Sequence, residues 1–154
     1  MPDGGYTIKV VASDAPSHSP EQALTAEKES ARFEVDTTPP QIQNLSASVD
    51  GGQIHVSFRA ADSFSSIKHA EYSVDAGDWQ FIEPVGQLSD SKTEAYDFRI
   101  SAPADPEDGR ANTATTAAPK SKGTRAGDLE HVVVVRVYDR YDNMSSAKTV
   151  IRGK

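Results

Sequence analysis

Hydrophobic and polar residues alternate with a period of two along most of the chain. Segment 53–59 places Ile54, Val56 and Phe58 on one face and polar residues on the other, which is typical of a half-buried antiparallel strand. No window has convincing helical periodicity. The alternation recurs in two further segments, with apolar residues at Ala70, Tyr72 and Val74 and at Tyr96, Phe98 and Ile100. Segment 132–137 is also predicted to be a strand, but it is apolar on both faces.

Turn-forming residues separate these segments. Residues 75–78, Asp-Ala-Gly-Asp, predict a hairpin turn with 79–81 as the returning strand, and 50–52, Asp-Gly-Gly, predict another turn. A third turn at 139–143 precedes a final strand at 147–151. Short strands joined by such turns predict an all-β protein, an antiparallel β-sandwich of about seven strands.

Two segments interrupt the strand pattern. Residues 36–40, Asp-Thr-Thr-Pro-Pro, contain two prolines that cannot continue a hydrogen-bonded ladder, which predicts a linker. Residues 101–130 are rich in Ala, Thr, Pro, Gly and charge, and we expect a disordered surface insertion there. The predicted organisation is a terminal hairpin at 3–35, the linker, and a sandwich at 41–152.

The two ends of the chain resemble each other. Residues 6–14 align with residues 131–139, and both segments end in aspartate. A strand follows each, so the same hairpin is predicted twice, as in a tandem array whose first copy keeps only its last two strands. The first five residues lack the basic and apolar regions of a secretory signal. A strand-like segment begins immediately at Tyr6, so we expect the chain to be a piece of a larger protein. The alternative is a complete small cytoplasmic protein.

The linker, the closing pattern Tyr-x-Ile-x-Val-x-Ala-x-Asp at 6–14 and the strand–turn–strand at 70–79 resemble bacterial immunoglobulin-like or fibronectin type III-like repeats. Such repeats occur at the tail of large exported proteins, some of them after a β-propeller. The resemblance covers about residues 36–152 as one module and 3–35 as the end of its predecessor. It implies an immunoglobulin-like sandwich, a spacing, display or adhesive role without inherited catalytic residues, and a periplasmic or cell-surface location.

One position departs from this family pattern. The tyrosine that opens the closing strand is Tyr6 in the first copy, but His131 stands there in the second. In the immunoglobulin fold this tyrosine bonds back to the backbone a few residues upstream. We therefore expect that hydrogen bond to be missing or altered in the full module.

The amino-acid composition excludes or disfavours several kinds of function. The chain has 154 residues with 16 Lys and Arg against 23 Asp and Glu, a net charge of −7, which disfavours nucleic-acid binding. The absence of cysteine excludes disulfides, thiolate catalysis and cysteine-ligated metals. No apolar run approaches the roughly 20 residues that a membrane-spanning helix needs, so we expect no membrane insertion.

Catalytic motifs are also missing from the sequence. It has no Gly-x-Ser-x-Gly turn and no glycine-rich phosphate loop. The histidines are far apart and form no ligand pair at helical or hairpin spacing; they are His18, His55, His69 and His131. The sequence predicts no enzyme, no catalytic residues and no required cofactor.

Carboxylates suggest a metal site. Asp36 in the linker, Asp62 after the second strand, and Asp139 and Asp142 at the closing turn could supply the hard oxygen ligands that calcium takes, often where two modules join. The alternative is that these residues only form turns, because Asp and Asn cap their own backbone.

The single tryptophan suggests a different site. An exposed Trp79, with Tyr72 nearby, could stack on a sugar ring. The favoured alternative is that Trp79 and Phe81 cover the sandwich core.

The sequence thus predicts a non-catalytic accessory module. It would space, dock or display a neighbouring domain of a larger bacterial exported or cell-envelope protein, and that domain would be its partner. The second hypothesis is a carbohydrate-binding or adhesive module that uses Trp79 and adjacent loops, with calcium assisting. The third is a fragment of an enzyme whose catalytic part lies elsewhere in the parent polypeptide.

Overall fold

The computed structural model describes residues 1–101 and 130–152. Their regular structure consists of β-strands and one 3₁₀ turn, Ala15–Ser17, so the all-β prediction is confirmed. Most of the predicted insertion at 101–130 lies outside the described residues. None of the described residues belongs to a helix with the length and apolar character needed to cross a membrane.

By its contacts the chain divides into two compact units, Met1–Thr38 and Pro39–Lys154. The first unit is an interrupted two-stranded hairpin, in which β1 pairs with β4 and β2 with β3. The amide of Ser30 donates to the carbonyl of Ile8 and joins the two ladders. The strands are β1 (Gly4–Tyr6), β2 (Lys9–Ser13), β3 (Thr25–Glu29) and β4 (Phe33–Val35).

Two antiparallel sheets form the second unit. The strand order is β5-β6-β9 in the first sheet and β11-β10-β7-β8 in the second. The two sheets share one hydrophobic core, which is the arrangement of a β-sandwich. The strands are β5 (Gln41–Asp50), β6 (Gln53–Ala61), β7 (Ile67–Val74), β8 (Gln80–Ile82), β9 (Thr93–Ser101), β10 (Glu130–Asp139) and β11 (Met144–Arg152).

The core follows the predicted alternation. Every second residue of β6 is buried, and so is every second residue of β10. The ring of Phe58 stacks on the ring of Tyr96 with 4.6 Å between centroids, which joins β6 to β9. Burial raises the pKa of the Tyr96 hydroxyl, which lies in this core. The central buried residues are Ile54, Val56, Phe58, Tyr96, Val133, Val135 and Val137.

Turn geometry agrees with the residues that predicted it. Gly51 and Gly52 have φ values of 57° and 81°, in the left-handed region that a two-residue hairpin loop requires. Asp75 and Ala76 also have positive φ, 50° and 60°, and the amide of Gly77 donates to the carbonyl of Val74. The polypeptide therefore reverses between β5 and β6, and again after β7.

The hairpins at the two ends close in the same way. The Asp14 amide donates to the Leu24 carbonyl at 3.2 Å, and the Leu24 amide donates to Asp14 Oδ1 at 2.6 Å. In the later hairpin, the Asp139 amide donates to the Asn143 carbonyl at 3.1 Å, and the Asn143 amide donates to Asp139 Oδ1 at 2.8 Å. The aligned aspartates thus have equivalent positions in their hairpins.

The two hairpins differ in the residue at the position of the family's tyrosine and in the contact that this residue makes. The Tyr6 hydroxyl donates to the Pro2 carbonyl, four residues upstream, which is the contact of a tyrosine corner. At the aligned position, His131 Nδ1 lies 2.7 Å from Asp75 Oδ2 instead. The histidine therefore replaces a local backbone contact with a contact to the turn after β7.

Candidate functional site

Two of the predicted ligands, Asp62 and Asp139, lie close together at one end of the sandwich core. Asp62 continues the buried row of β6 beyond Ala60, and Asp139 continues the buried row of β10 beyond Val137. Asp62 is 8% exposed and Asp139 is 0% exposed. One carboxylate oxygen of Asp62 lies within 4.8 Å of one carboxylate oxygen of Asp139.

Backbone amides hold both carboxylates in place. Asp62 Oδ1 accepts from the amides of Phe64 at 2.8 Å and Ser65 at 2.7 Å. Asp139 Oδ1 accepts from the amides of Tyr141 and Asn143, both at 2.8 Å. Asp139 Oδ2 accepts from the side-chain amide of Asn143 at 2.7 Å. Both aspartates therefore do form turns, and these hydrogen bonds also fix where Asp62 Oδ2 lies, the one oxygen of the pair to which the described residues donate no hydrogen bond.

The pair is electrostatically unfavourable by itself. Two negative charges no more than 4.8 Å apart repel each other by at least about 3 kcal/mol at an effective dielectric constant of about 20. In the described part of the chain, no lysine, arginine or histidine forms an ion pair with either carboxylate. The arrangement therefore favours a positive ligand.

The other two predicted ligands are placed differently. Asp142 is exposed, has a φ of 65°, and pairs with Lys68 through a 2.6 Å contact between Oδ1 and Nζ. Its side chain contacts that lysine and is not among the carboxylates that lie close together, and its role as a ligand stays a prediction. Asp36 is buried, and its Oδ1 accepts from the Thr38 amide at 3.2 Å. Its role as a ligand stays a prediction.

A second feature is the outward surface of the sheet β11-β10-β7-β8. Residues that are paired across neighbouring strands lie on the same face of a sheet. His69 of β7 pairs with Tyr138 of β10. Glu71 of β7 pairs with Arg136 of β10 and with Phe81 of β8. Tyr138 in turn pairs with Met144. We call this set the outer aromatic face; it comprises His69, Glu71, Trp79, Phe81, Arg136, Tyr138 and Met144.

The side chains of this face are in mutual contact. The rings of His69 and Tyr138 stack with 4.5 Å between centroids, and Phe81 lies 5.4 Å from His69. Burial lowers the pKa of His69, so its ring is neutral near pH 7. Arg136 Cζ lies 3.8 Å from the centroid of the Trp79 ring, and Arg136 Nε lies 2.5 Å from Glu71 Oε2. The guanidinium thereby holds the indole in one orientation.

The prediction that Trp79 and Phe81 cover the sandwich core is wrong. Trp79 is 41% exposed and Phe81 is 74% exposed, so neither covers the core. The reason is register, because the pairing of Phe81 with Glu71 puts it on the solvent side, whereas Ile82 pairs with buried Ala70.

Tyr72 is not part of the outer aromatic face. Its ring lies 5.1 Å from the ring of Phe98, across the sandwich, and its hydroxyl donates to Gln80 at 3.2 Å. It lines an open groove of about 380 Å³ together with Gln80 and Arg99. The structure therefore places Tyr72 and Trp79 on opposite faces of the same sheet and does not bring them into one site.

A hydrogen-bonded pair, the buried His131 and the exposed Asp75, connects the turn after β7 to the start of β10. Asp75 Oδ1 accepts from the Val132 amide at 2.8 Å, in addition to the contact of Oδ2 with His131. Burial by itself would raise the pKa of Asp75, but the hydrogen bonds from His131 and Val132 outweigh it and hold the pKa of this carboxyl below its ordinary value. The sequence did not indicate this pair, because its members are 56 positions apart.

Comparison with known proteins gives no relative. No protein-family model, no curated protein and no solved structure matches the chain. The carboxylate pair and the outer aromatic face are therefore the features that bear on function.

Proposed function

We propose that the chain is a non-catalytic accessory module, which docks and spaces a neighbouring domain of a larger bacterial exported or cell-envelope protein. The observation that carries the proposal is the outer aromatic face. Trp, Tyr, Phe, Met and Arg are the residues enriched at protein interfaces, and here they occupy one sheet surface. Trp79, Phe81 and Met144 are all more than 40% exposed on it.

The strand order supports a module of this kind. The second unit has seven described strands, in sheets of three and four, which is the number typical of immunoglobulin-like sandwiches. The four-stranded sheet is the one that contains β10 and β11, because β8 pairs with β7 at its edge. In a constant-type immunoglobulin domain, the four-stranded sheet is the other one. This favours the fibronectin type III-like alternative. The equivalent closing of the two hairpins, at Asp14 and Asp139, supports a tandem arrangement.

Photo-crosslinking from position 81 tests the docking proposal. We expect p-benzoylphenylalanine in place of Phe81, in the complete polypeptide that contains this chain, to crosslink to residues outside 39–152. The reason is that this side chain is the most exposed apolar group of the outer aromatic face, at 74%. Mass spectrometry of the crosslinked peptides identifies the partner segment.

The matched control carries the same photoreactive group in place of Asp97, an exposed residue of β9 in the opposite sheet. Crosslinks should be much weaker from that position. Equal yields from positions 81 and 97, or no crosslink outside 39–152 from either position, would contradict docking through this face.

A second candidate function is glycan binding, which one specific observation favours. The indole of Trp79 is held by the Arg136 guanidinium at 3.8 Å and remains partly exposed. A flat, oriented aromatic ring is the surface on which a sugar ring stacks, since an aromatic side chain offers a large apolar face at little entropic cost.

Fluorescence tests this candidate directly, because Trp79 is the only tryptophan. Titration with soluble cello-, xylo-, manno- and chito-oligosaccharides should give a saturable change in emission if Trp79 binds a sugar. Amide NMR spectra of Trp79→Ala should then show no shifts with the same sugar. Tyr72→Phe, on the opposite face, should bind like the wild type. A flat titration with every oligosaccharide would exclude these glycans and leave the docking proposal standing.

A further inference from the structure

We propose that Asp62 and Asp139 bind one calcium ion at the end of the sandwich core. The site would join the loop after β6 to the turn between β10 and β11. It uses no residue of the outer aromatic face, so it stands whether or not that face docks a domain.

The carboxylates of Asp62 and Asp139 are buried together without a positive charge paired to them among the described residues. Both carboxylates are more than nine-tenths buried, and their nearest oxygens lie within 4.8 Å of each other. No cationic side chain of residues 1–101 and 130–152 pairs with either one. Two like charges withdrawn from water need a counter-charge, and a bound cation supplies it.

Two buried oxygen atoms of the loop after β6 have no hydrogen-bond partner in the part of the chain that the structure describes. Asp62 Oδ2 is buried and has no hydrogen-bond partner, although Oδ1 of the same carboxylate accepts two amide hydrogen bonds. Ser65, in the same loop and 6% exposed, also has a buried hydroxyl oxygen without a partner. Buried polar atoms are nearly always satisfied. Their presence beside the carboxylate pair therefore points to a ligand.

The chemistry of the donors selects the ion. The available groups are carboxylate and hydroxyl oxygens, which are hard ligands and suit Ca²⁺. Two oxygens that bind the same calcium at 2.3–2.6 Å cannot be more than about 5 Å apart, and the observed separation satisfies this limit. Because the protein supplies few carboxylates, we expect a dissociation constant on the order of 10⁻⁴ to 10⁻³ M, as in extracellular calcium modules.

Calcium titration of the whole chain tests the proposal. After treatment with a chelating resin, isothermal titration calorimetry should show binding of one Ca²⁺. Asp62→Asn and Asp139→Asn should each weaken it by about tenfold or more, since each removes one ligand charge. Asn keeps an Oδ1 atom that can accept the amide hydrogen bonds. Asp142→Asn, in the same turn but paired with Lys68, is the matched control and should bind like the wild type.

Amide NMR shifts in the wild type give a second measurement that does not depend on the variants folding. Calcium should shift the amides that donate to the two carboxylates, namely those of Phe64, Ser65, Tyr141 and Asn143. The proposal is overturned if calcium leaves these amides unshifted, or if both asparagine variants fold and bind calcium as the wild type does.

Discussion

Replacing Ile54 with alanine is expected to lower the free energy of unfolding of the second unit by about 3–4 kcal/mol. Ile54 is 0% exposed near the start of β6 and belongs to the core between the two sheets. The truncation loses buried apolar surface, and it leaves a cavity because the flanking strands are held by their ladders. Urea unfolding followed by Trp79 fluorescence measures the change.

Val150→Ala is the matched control for this prediction. Val150 lies on β11 and is 47% exposed, so its truncation should cost less than about 1 kcal/mol. If both substitutions cost the same, β6 does not form the centre of the core.

Replacing Arg136 with alanine is expected to cost about 3 kcal/mol. Glu71 is 8% exposed, and its Oε2 lies 2.5 Å from Arg136 Nε, so the substitution leaves a buried carboxylate without its partner charge. It also removes the guanidinium from the indole of Trp79, a contact worth about 1 kcal/mol. Urea unfolding measures the loss, and a shift in the emission maximum of Trp79 reports the change at the indole.

The double variant Arg136→Met with Glu71→Gln separates the two contributions. It removes both charges but keeps side chains of similar length, so most of the lost stability should return. Trp79 emission should stay altered, because methionine has no guanidinium. A cost below about 1 kcal/mol for Arg136→Ala alone, with unchanged emission, would show that the ion pair does not support this face.

Strands that bury one face could be predicted from the sequence, because burial leaves a period of two. β6, β7 and β9 have this pattern, and all three are present; β10, which is apolar on both faces in sequence, is present as well. β3 was missed. Its five residues, Thr25–Glu29, are exposed throughout, so neither face selects apolar residues and no alternation marks the strand.

The carboxylate pair could be foreseen only in part. Asp62 and Asp139 each fall two positions after the last apolar residue of a buried row, and this spacing implies that they point inward. Asp142 is also a carboxylate at the closing turn, but it lies outside that alternation, and it pairs with Lys68. Spacing along one strand gives the direction of a side chain, but whether the two carboxylates come within 4.8 Å of each other depends on how the sheets pack.

The sequence by itself determined that this chain forms antiparallel strands around a core, and that tight turns follow Asp50 and Val74. Both properties depend on neighbouring residues, through side-chain alternation and through the backbone freedom of turn residues. Only the tertiary structure decided that Trp79 and Phe81 face solvent, that Tyr72 lies on the opposite face, and that Asp62 meets Asp139. The physical reason is that strand register and sheet packing are set by contacts between residues far apart in the chain.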